Sequence, residues 1–192
     1  MIKGAKPLGP IPPGFESRDG ELVIGGRKAS ELAKGGTPCF VYSQALIEAR
    51  MAALRAAVPA RLHIHYAIKA NPFAPLLRLM AGLADGLDIA SGGELEMVRA
   101  AGAELSRVSF AGPGKRDDEL EAAIAAGITI NLESEGEARR ALAIADRLGV
   151  TPRLAIRVNP DFDLKGSGMK MGGGARQFGV DADRAAALAR EV

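Results

Sequence analysis

The stretch Leu62-His-Ile-His-Tyr-Ala-Ile-Lys-Ala-Asn-Pro72 alternates in character, with Leu62, Ile64, Tyr66 and Ile68 on one face and His63, His65, Ala67 and Lys69 on the other. A period of two belongs to a β-strand with one face against an apolar core. Pro72 cannot continue the strand, and Leu76, Leu77 and Met80 recur behind it at helical spacing. The unit reads as a strand handing over to a helix, with Lys69 at the hand-over. A Schiff-base lysine would sit there, although position alone favours a strand-end lysine that reaches solvent.

Four more strands follow, each with a helical stretch after it: Gly86-Leu-Asp-Ile-Ala-Ser91, Val108-Ser-Phe-Ala111, Ile128-Thr-Ile-Asn-Leu-Glu133 and Arg153-Leu-Ala-Ile-Arg-Val-Asn159. Leu87, Ile89, Val108, Phe110, Ile128, Ile130, Leu132, Leu154, Ile156 and Val158 make the apolar face, and Asp88, Ser109, Asn131, Glu133, Arg157 and Asn159 the other. Strands of a doubly wound sheet are covered on both sides and read as continuous apolar runs. Alternation inside a βα repeat points instead to a TIM-type (β/α)8 barrel, with helices outside and chemistry on the inner face. Repeats of about two dozen residues need eight copies to close, and five are visible. The expectation is therefore a partial barrel, the N-terminal half of a longer protein, with about three units or ~70 residues elsewhere. Alone it would expose strand edges and apolar surface, and would be unstable, dimeric or aggregation-prone.

Apolar residues make up 47% of the 192, enough for a core without cross-links, and the single Cys39 cannot form an intramolecular bridge. An apolar leader and a long uncharged apolar span are both missing from the sequence, so no membrane association is expected and the cytoplasm is the default. The 25 basic and 23 acidic residues are interleaved and leave a net charge of +2, which offers no support for a nucleic-acid partner. Residues 1–14 hold Pro7, Pro10, Pro12 and Pro13 among glycines and read as an extended arm. A short strand between glycine turns is expected within Asp19 to Lys28, an extended stretch over Thr37 to Tyr42, and a helix from Ala45 to Ala57 capped by Ser43.

The inner face offers an amine at Lys69, carboxylates at Asp88 and Glu133, a guanidinium at Arg157 and amides at Asn131 and Asn159, mostly toward the strand ends where barrel active sites assemble. A lysine buried beside Arg157 would have a lowered pKa and supply the neutral amine that carbonyl addition requires; a carboxylate at Asp88 would oppose that shift. Asp88 and Arg157 read equally as a structural ion pair. His63 and His65 read as packed inner residues, with no further ligand to complete a metal site, so no metal is expected. Glu94 and Glu96 suit the first turn of a helix after Ser91. Gly172-Gly-Gly174 reads as a lid-like connection rather than a phosphate loop.

The stretch His65-Tyr-Ala-Ile-Lys-Ala-Asn-Pro72 resembles the pyridoxal-phosphate lysine motif of the fold-type III decarboxylases, the group that contains diaminopimelate, ornithine and arginine decarboxylases. Gly36-Thr-Pro-Cys-Phe-Val-Tyr42, Asp88-Ile-Ala-Ser-Gly-Gly-Glu-Leu95, Phe110-Ala-Gly-Pro-Gly-Lys115, Asn131-Leu-Glu-Ser134, Arg157-Val-Asn-Pro160 and Phe178-Gly179 occur in the order that family has them. Lys6-Pro-Leu-Gly-Pro10 and Lys165-Gly-Ser-Gly-Met-Lys-Met-Gly-Gly-Gly174 are similar to a bacterial subgroup, the pyridoxal-dependent decarboxylases associated with exosortase A and exopolysaccharide export.

The resemblance implies an α/β fold with a barrel of the alanine racemase-like type across residues 43–192, residues 1–42 contributing an arm and strands to a second β-domain. It implies that pyridoxal 5'-phosphate is bound covalently by Lys69, with Ala67, Asp88 and Arg157 against it. It also implies a homodimer acting on a small amino acid, diaminopimelate or a related basic one, by decarboxylation. The family's ring-stacking histidine, phosphate loop and ring-nitrogen partner have no counterpart here, nor do the cysteine and aspartate that a neighbouring subunit contributes. Gln177 stands where many relatives have lysine. Three other readings share the lysine: an amino-acid racemase of the same fold, a non-catalytic regulatory relative, and a cofactor-free Schiff-base aldolase.

Overall fold

The computed structural model describes residues 15–160 and 178–192. The arm expected at residues 1–14, the lid-like glycine stretch and Gln177 lie outside the described residues. The chain falls into two compact units, Met1–Leu62 and His63–Val192.

In the first unit β1 (Glu16–Arg18), β2 (Glu21–Ile24) and β3 (Arg27–Lys28) form an antiparallel meander in that order. Both reversals are two-residue turns in left-handed backbone, with φ of 56° and 75° at Asp19 and Gly20 and of 57° and 79° at Gly25 and Gly26. Such turns match the twist of the strands they join, and aspartate and glycine enter them at low cost. The one short strand expected here is thus part of a three-stranded sheet. After α1 (Ala29–Leu32), the stretch Thr37 to Tyr42 pairs with no strand among the described residues. Then α2 (Gln44–Ala57) begins on its expected cap, the Ser43 hydroxyl accepting the Leu46 N–H at 3.5 Å.

The second unit is a parallel sheet of β4 (His65–Ala67), β5 (Gly86–Ile89), β6 (Val108–Phe110), β7 (Thr129–Leu132) and β8 (Arg153–Ile156), in sequence order. Between them run α3 (Ala74–Leu83), α4 (Gly92–Ala100), α5 (Asp117–Ala125) and α6 (Glu135–Leu148). Paired residues of adjacent parallel strands point to the same side. Ile89, Phe110 and Ile130 therefore form one buried row, while Ala67, Asp88, Ser109 and Thr129 form a row on the opposite face. Leu77, Leu95, Leu120 and Ala141 of the helices are fully buried, so the apolar layer lies between sheet and helices. Each fully buried large side chain there contributes about 1.5–3 kcal/mol. In β5, β6 and β7 the alternation read from the sequence is this division of faces, whereas Leu62, ahead of β4, and Val158, beyond β8, are exposed.

Two features differ from expectation. The strand expected to run through Lys69 ends at Ala67, and Ile68–Ala70 is one 3-10 turn. The Asn71 N–H donates to the Ile68 carbonyl at 3.1 Å, the Tyr66 hydroxyl donates to the Asn71 carbonyl at 3.1 Å, and Ile68 turns fully inside. Lys69 therefore leaves the sheet on a turn and is exposed, not buried. The fifth expected strand is broken at Arg157, whose N–H still donates to the Leu132 carbonyl at 3.0 Å. Beyond it β9 (Val158–Asn159) pairs in parallel with a sixth strand position, β10 (Val180–Asp181), just ahead of α7 (Ala182–Glu191). A two-residue strand is too short to show a period, so the sequence read only the helix.

Candidate active site

At the C-terminal ends of the parallel strands lies an open cleft of about 480 Å³, and Ala67, Lys69, Asp88 and Arg157 all line it. Ala67 and Lys69 arrive on β4 and the turn after it, Asp88 on β5 and Arg157 just after β8. Ser91, Glu119 and Phe178 border the same space, with Ala90, Gly112 and Gly114 leaving its walls shallow.

Asp88 Oδ1 accepts a hydrogen bond from the hydroxyl of Ser109, its partner in register, and lies 3.4 Å from His65 Nδ1. The imidazole reaches that oxygen by crossing Gly86, where a Cβ would stand 2.5 Å from His65 Cε1. Glycine at that strand position is what lets His65 reach across. His63 is exposed, and with His65, Ser109 and Thr129 it borders a second depression at the N-terminal ends of the strands. Neither histidine is a packed inner residue. Among the described residues no group of three or more His, Cys, Asp and Glu could hold a metal.

The ion pair considered between Asp88 and Arg157 is not the one formed. Arg157 Nη1 donates to Glu133 Oε1 at 3.1 Å, and its guanidinium lies 4.8 Å from the centre of the Phe178 ring. Glu133 is buried, and also accepts the Gly112 N–H at 2.7 Å and the Gly179 N–H at 2.9 Å. Asn159, also buried, donates to the Phe178 carbonyl and so holds the same segment.

Behind this lies a pair that the sequence reading missed. Lys115 Nζ donates to Glu137 Oε1 at 2.7 Å, to the Gly112 carbonyl at 2.8 Å and to the Asn131 carbonyl at 2.7 Å, and sits over the Phe110 ring. Both side chains are almost fully buried, at 1% and 3% exposure. Glu137 Oε2 takes the Glu133 N–H at 2.9 Å, linking the two pairs. The available signal was Ser134-Glu-Gly-Glu137, the sequence pattern of a capping box, of which only the serine half forms: the Ser134 hydroxyl accepts the Glu137 N–H at 3.1 Å, while the Glu137 carboxylate reaches the N–H of Glu133 instead.

Glu119 shows the same device one unit earlier. N–H groups of Arg116 and of Gly92 hold its carboxyl below the ordinary value of 4.5, against a smaller opposing effect of burial. A depressed native value means that the unfolded chain binds the proton more readily. This contribution to stability is complete above 4.5 and is lost as the pH falls through the depressed value. Urea unfolding between pH 6 and 3 is expected to give a steeper loss of stability for the parent than for Glu119→Gln; equal slopes would show that the two N–H bonds do not favour the charged form.

A family model described as "Pyridoxal-dependent decarboxylase, pyridoxal binding domain" matches residues 44–192. The chain belongs to this family. Diaminopimelate decarboxylase of Aquifex aeolicus (strain VF5) is 44% identical over 176 residues, 88% of this chain and 41% of that protein. L-glutamyl-[BtrI acyl-carrier protein] decarboxylase of Niallia circulans is 38% identical over 76% of this chain and 34% of its own length. Among solved structures, diaminopimelate decarboxylase from Helicobacter pylori complexed with L-lysine matches with a TM-score of 0.75 at 31% identity, over 83% of this chain and 41% of the other. The fold is thus the first part of the decarboxylase barrel, and the chain spans about two-fifths of the length of the curated relatives, 41–43% for the first three.

Pyridoxal phosphate is the cofactor of this family, and the cleft fits it. Its volume lies within the range of small-molecule sites. The shallow walls leave room for a flat ring, an exposed primary amine borders the space for a carbonyl group, and the Arg157 guanidinium and the Asp88 carboxylate supply a donor and an acceptor.

Proposed function

We propose that this chain forms the cofactor-binding part of an amino-acid decarboxylase, with Lys69 as the residue that engages the carbonyl of pyridoxal phosphate. The observation that carries this reading is the meeting of Ala67, Lys69, Asp88 and Arg157 in one cleft at the strand ends. When bound, the cofactor supplies a ring that takes up the electron pair left behind as carbon dioxide departs.

The rest falls to the chain's own side chains. Lys69, on a turn instead of in the core, has its amine free to reach across the cleft. Ala67, two residues earlier on the strand, is small enough to leave space beside it. Asp88 keeps 43% of its side chain exposed while Ser109 holds one oxygen, so it can still accept from a cationic or protonated group in the cleft. Arg157, locked between Glu133 and Phe178, donates in a fixed direction. Fixed donors and acceptors hold a substrate so that the bond to its carboxylate can break, at little cost in reorganisation.

The substrate is a small amino acid. Diaminopimelate, or a related basic amino acid, is favoured by the names of the relatives that match over most of the chain. The stretches at Lys6–Pro10 and Lys165–Gly174 support a link to exopolysaccharide production, and the family resemblance supports a cytoplasmic homodimer. Among the described residues no helix is long and apolar enough to cross a membrane.

The test is to load the whole protein with pyridoxal phosphate and measure carbon dioxide release and optical inversion over a panel of amino acids that includes diaminopimelate. Carbon dioxide with the matching amine is expected. Inversion without gas would make the protein a racemase, and bound cofactor with neither outcome would make it a regulatory relative.

A further inference from the structure

Glu133 does not line the cleft, yet three pieces of the cleft wall are tied to it. Its Oε1 receives the Gly112 N–H from the loop after β6 and Nη1 of Arg157 from the break after β8; its Oε2 receives the Gly179 N–H from the segment before β10. Its side chain is 1% exposed, so these donors do the work that water would otherwise do. A buried carboxylate with three donors from three separate segments is costly to assemble, and it fixes all three at once. The wall gives it little freedom. Gly179 sits at φ 74°, and a Cβ there would stand 2.8 Å from the Arg157 carbonyl.

The arrangement also sets what Arg157 can do. An arginine with an adjacent buried carboxylate, and one face on an aromatic ring, is held in a set direction rather than swinging as a solvated cation. We propose that Glu133 is the positioning residue of the cofactor site, acting through Arg157; this rests on the reading of Lys69 and Arg157 above. A glutamine in its place has one oxygen and one amide group. It cannot accept from both sides, and it takes away the carboxylate charge that faces the guanidinium.

The experiment titrates the whole protein with pyridoxal phosphate, reading the dissociation constant from the cofactor's visible absorbance and the Lys69 adduct by borohydride reduction and peptide mass spectrometry. Glu133→Gln is expected to weaken binding about tenfold in protein that circular dichroism shows to be folded, the scale of one hydrogen bond to a charged group. In an Arg157→Met background the same change is expected to shift binding no more than about twofold, because the residue it acts through is gone. The double variant also removes both charges together, so it remains a fair comparison if Glu133→Gln alone does not fold.

A folded Glu133→Gln protein that binds like the parent would show a purely structural carboxylate and overturn the proposal. An undiminished tenfold loss in the Arg157→Met background would overturn it as well. Failure of the parent itself to take up cofactor at Lys69 would instead defeat the underlying reading, and the inference with it.

Discussion

Lys69→Ala is expected to abolish borohydride-fixed labelling by pyridoxal phosphate and to lower turnover by the whole protein by several orders of magnitude. The amine is the only group of this residue that the proposed chemistry needs, and nothing else on the turn can form the same bond. Because Lys69 is exposed on a 3-10 turn after the strand, truncating it removes no core packing. Exposed substitutions of this kind usually change stability by no more than about 0.5 kcal/mol. The loss can therefore be read as chemistry and not as unfolding. The check is peptide mass spectrometry of reduced parent and variant, beside a thermal melt of each. Undiminished labelling of the variant, carried by Lys115 or any other lysine, would remove Lys69 from the site.

The largest expected effect on stability lies elsewhere, at a residue outside the cleft. Lys115→Met leaves the Glu137 carboxylate buried at 3% exposure without its cation, and strips a donor from the Gly112 and Asn131 carbonyls. Breaking one side of a buried pair costs about 3–5 kcal/mol, against a typical total of roughly 5–15 kcal/mol for a domain. At about 2–4 °C per kcal/mol for a chain of this size, a fall of the order of 10 °C in Tm follows. Lys115→Met combined with Glu137→Leu is expected to recover most of that loss, since a pair removed together leaves no stranded charge. Thermal melts of the parent, the single and the double variant decide it. A single variant that melts with the parent would mean that water reaches Glu137 freely.

The sheet was legible because its two faces differ. The spacing of Leu87 and Ile89, of Val108 and Phe110 and of Ile130 and Leu132 is the spacing of a layer that must be dry, and Asp88, Ser109 and Asn131 between them mark the wet side. Sequence also placed Ala67, Lys69, Asp88 and Arg157 together, through the family's motifs, and the cleft contains all four. What it could not do was choose partners. Asp88 and Glu133 are both carboxylates near strand ends, and only the register of β5 against β6 gives the first a serine, leaving the second to take the arginine. Lys115 escaped notice for a related reason. A lysine in a glycine-rich loop reads as solvated unless something shows that a carboxylate of α6, 22 residues away, folds over it. The turn that carries Lys69 was hidden because Ile68 keeps the strand's alternation while leaving the strand.

Carboxylates at or just before successive helix starts bind backward along the chain. Glu119 of α5 takes the first N–H of α4 at Gly92, and Glu133 takes the N–H of Gly112 in the loop one unit earlier. Two of the βα units thus finish the hydrogen bonding of the one before them. Modular as the repeat looks, its natural seam for recombination is not between a helix and the next strand, because a graft cut there would import a loop while leaving its acceptor behind. Units exchanged between relatives would have to travel in overlapping pairs.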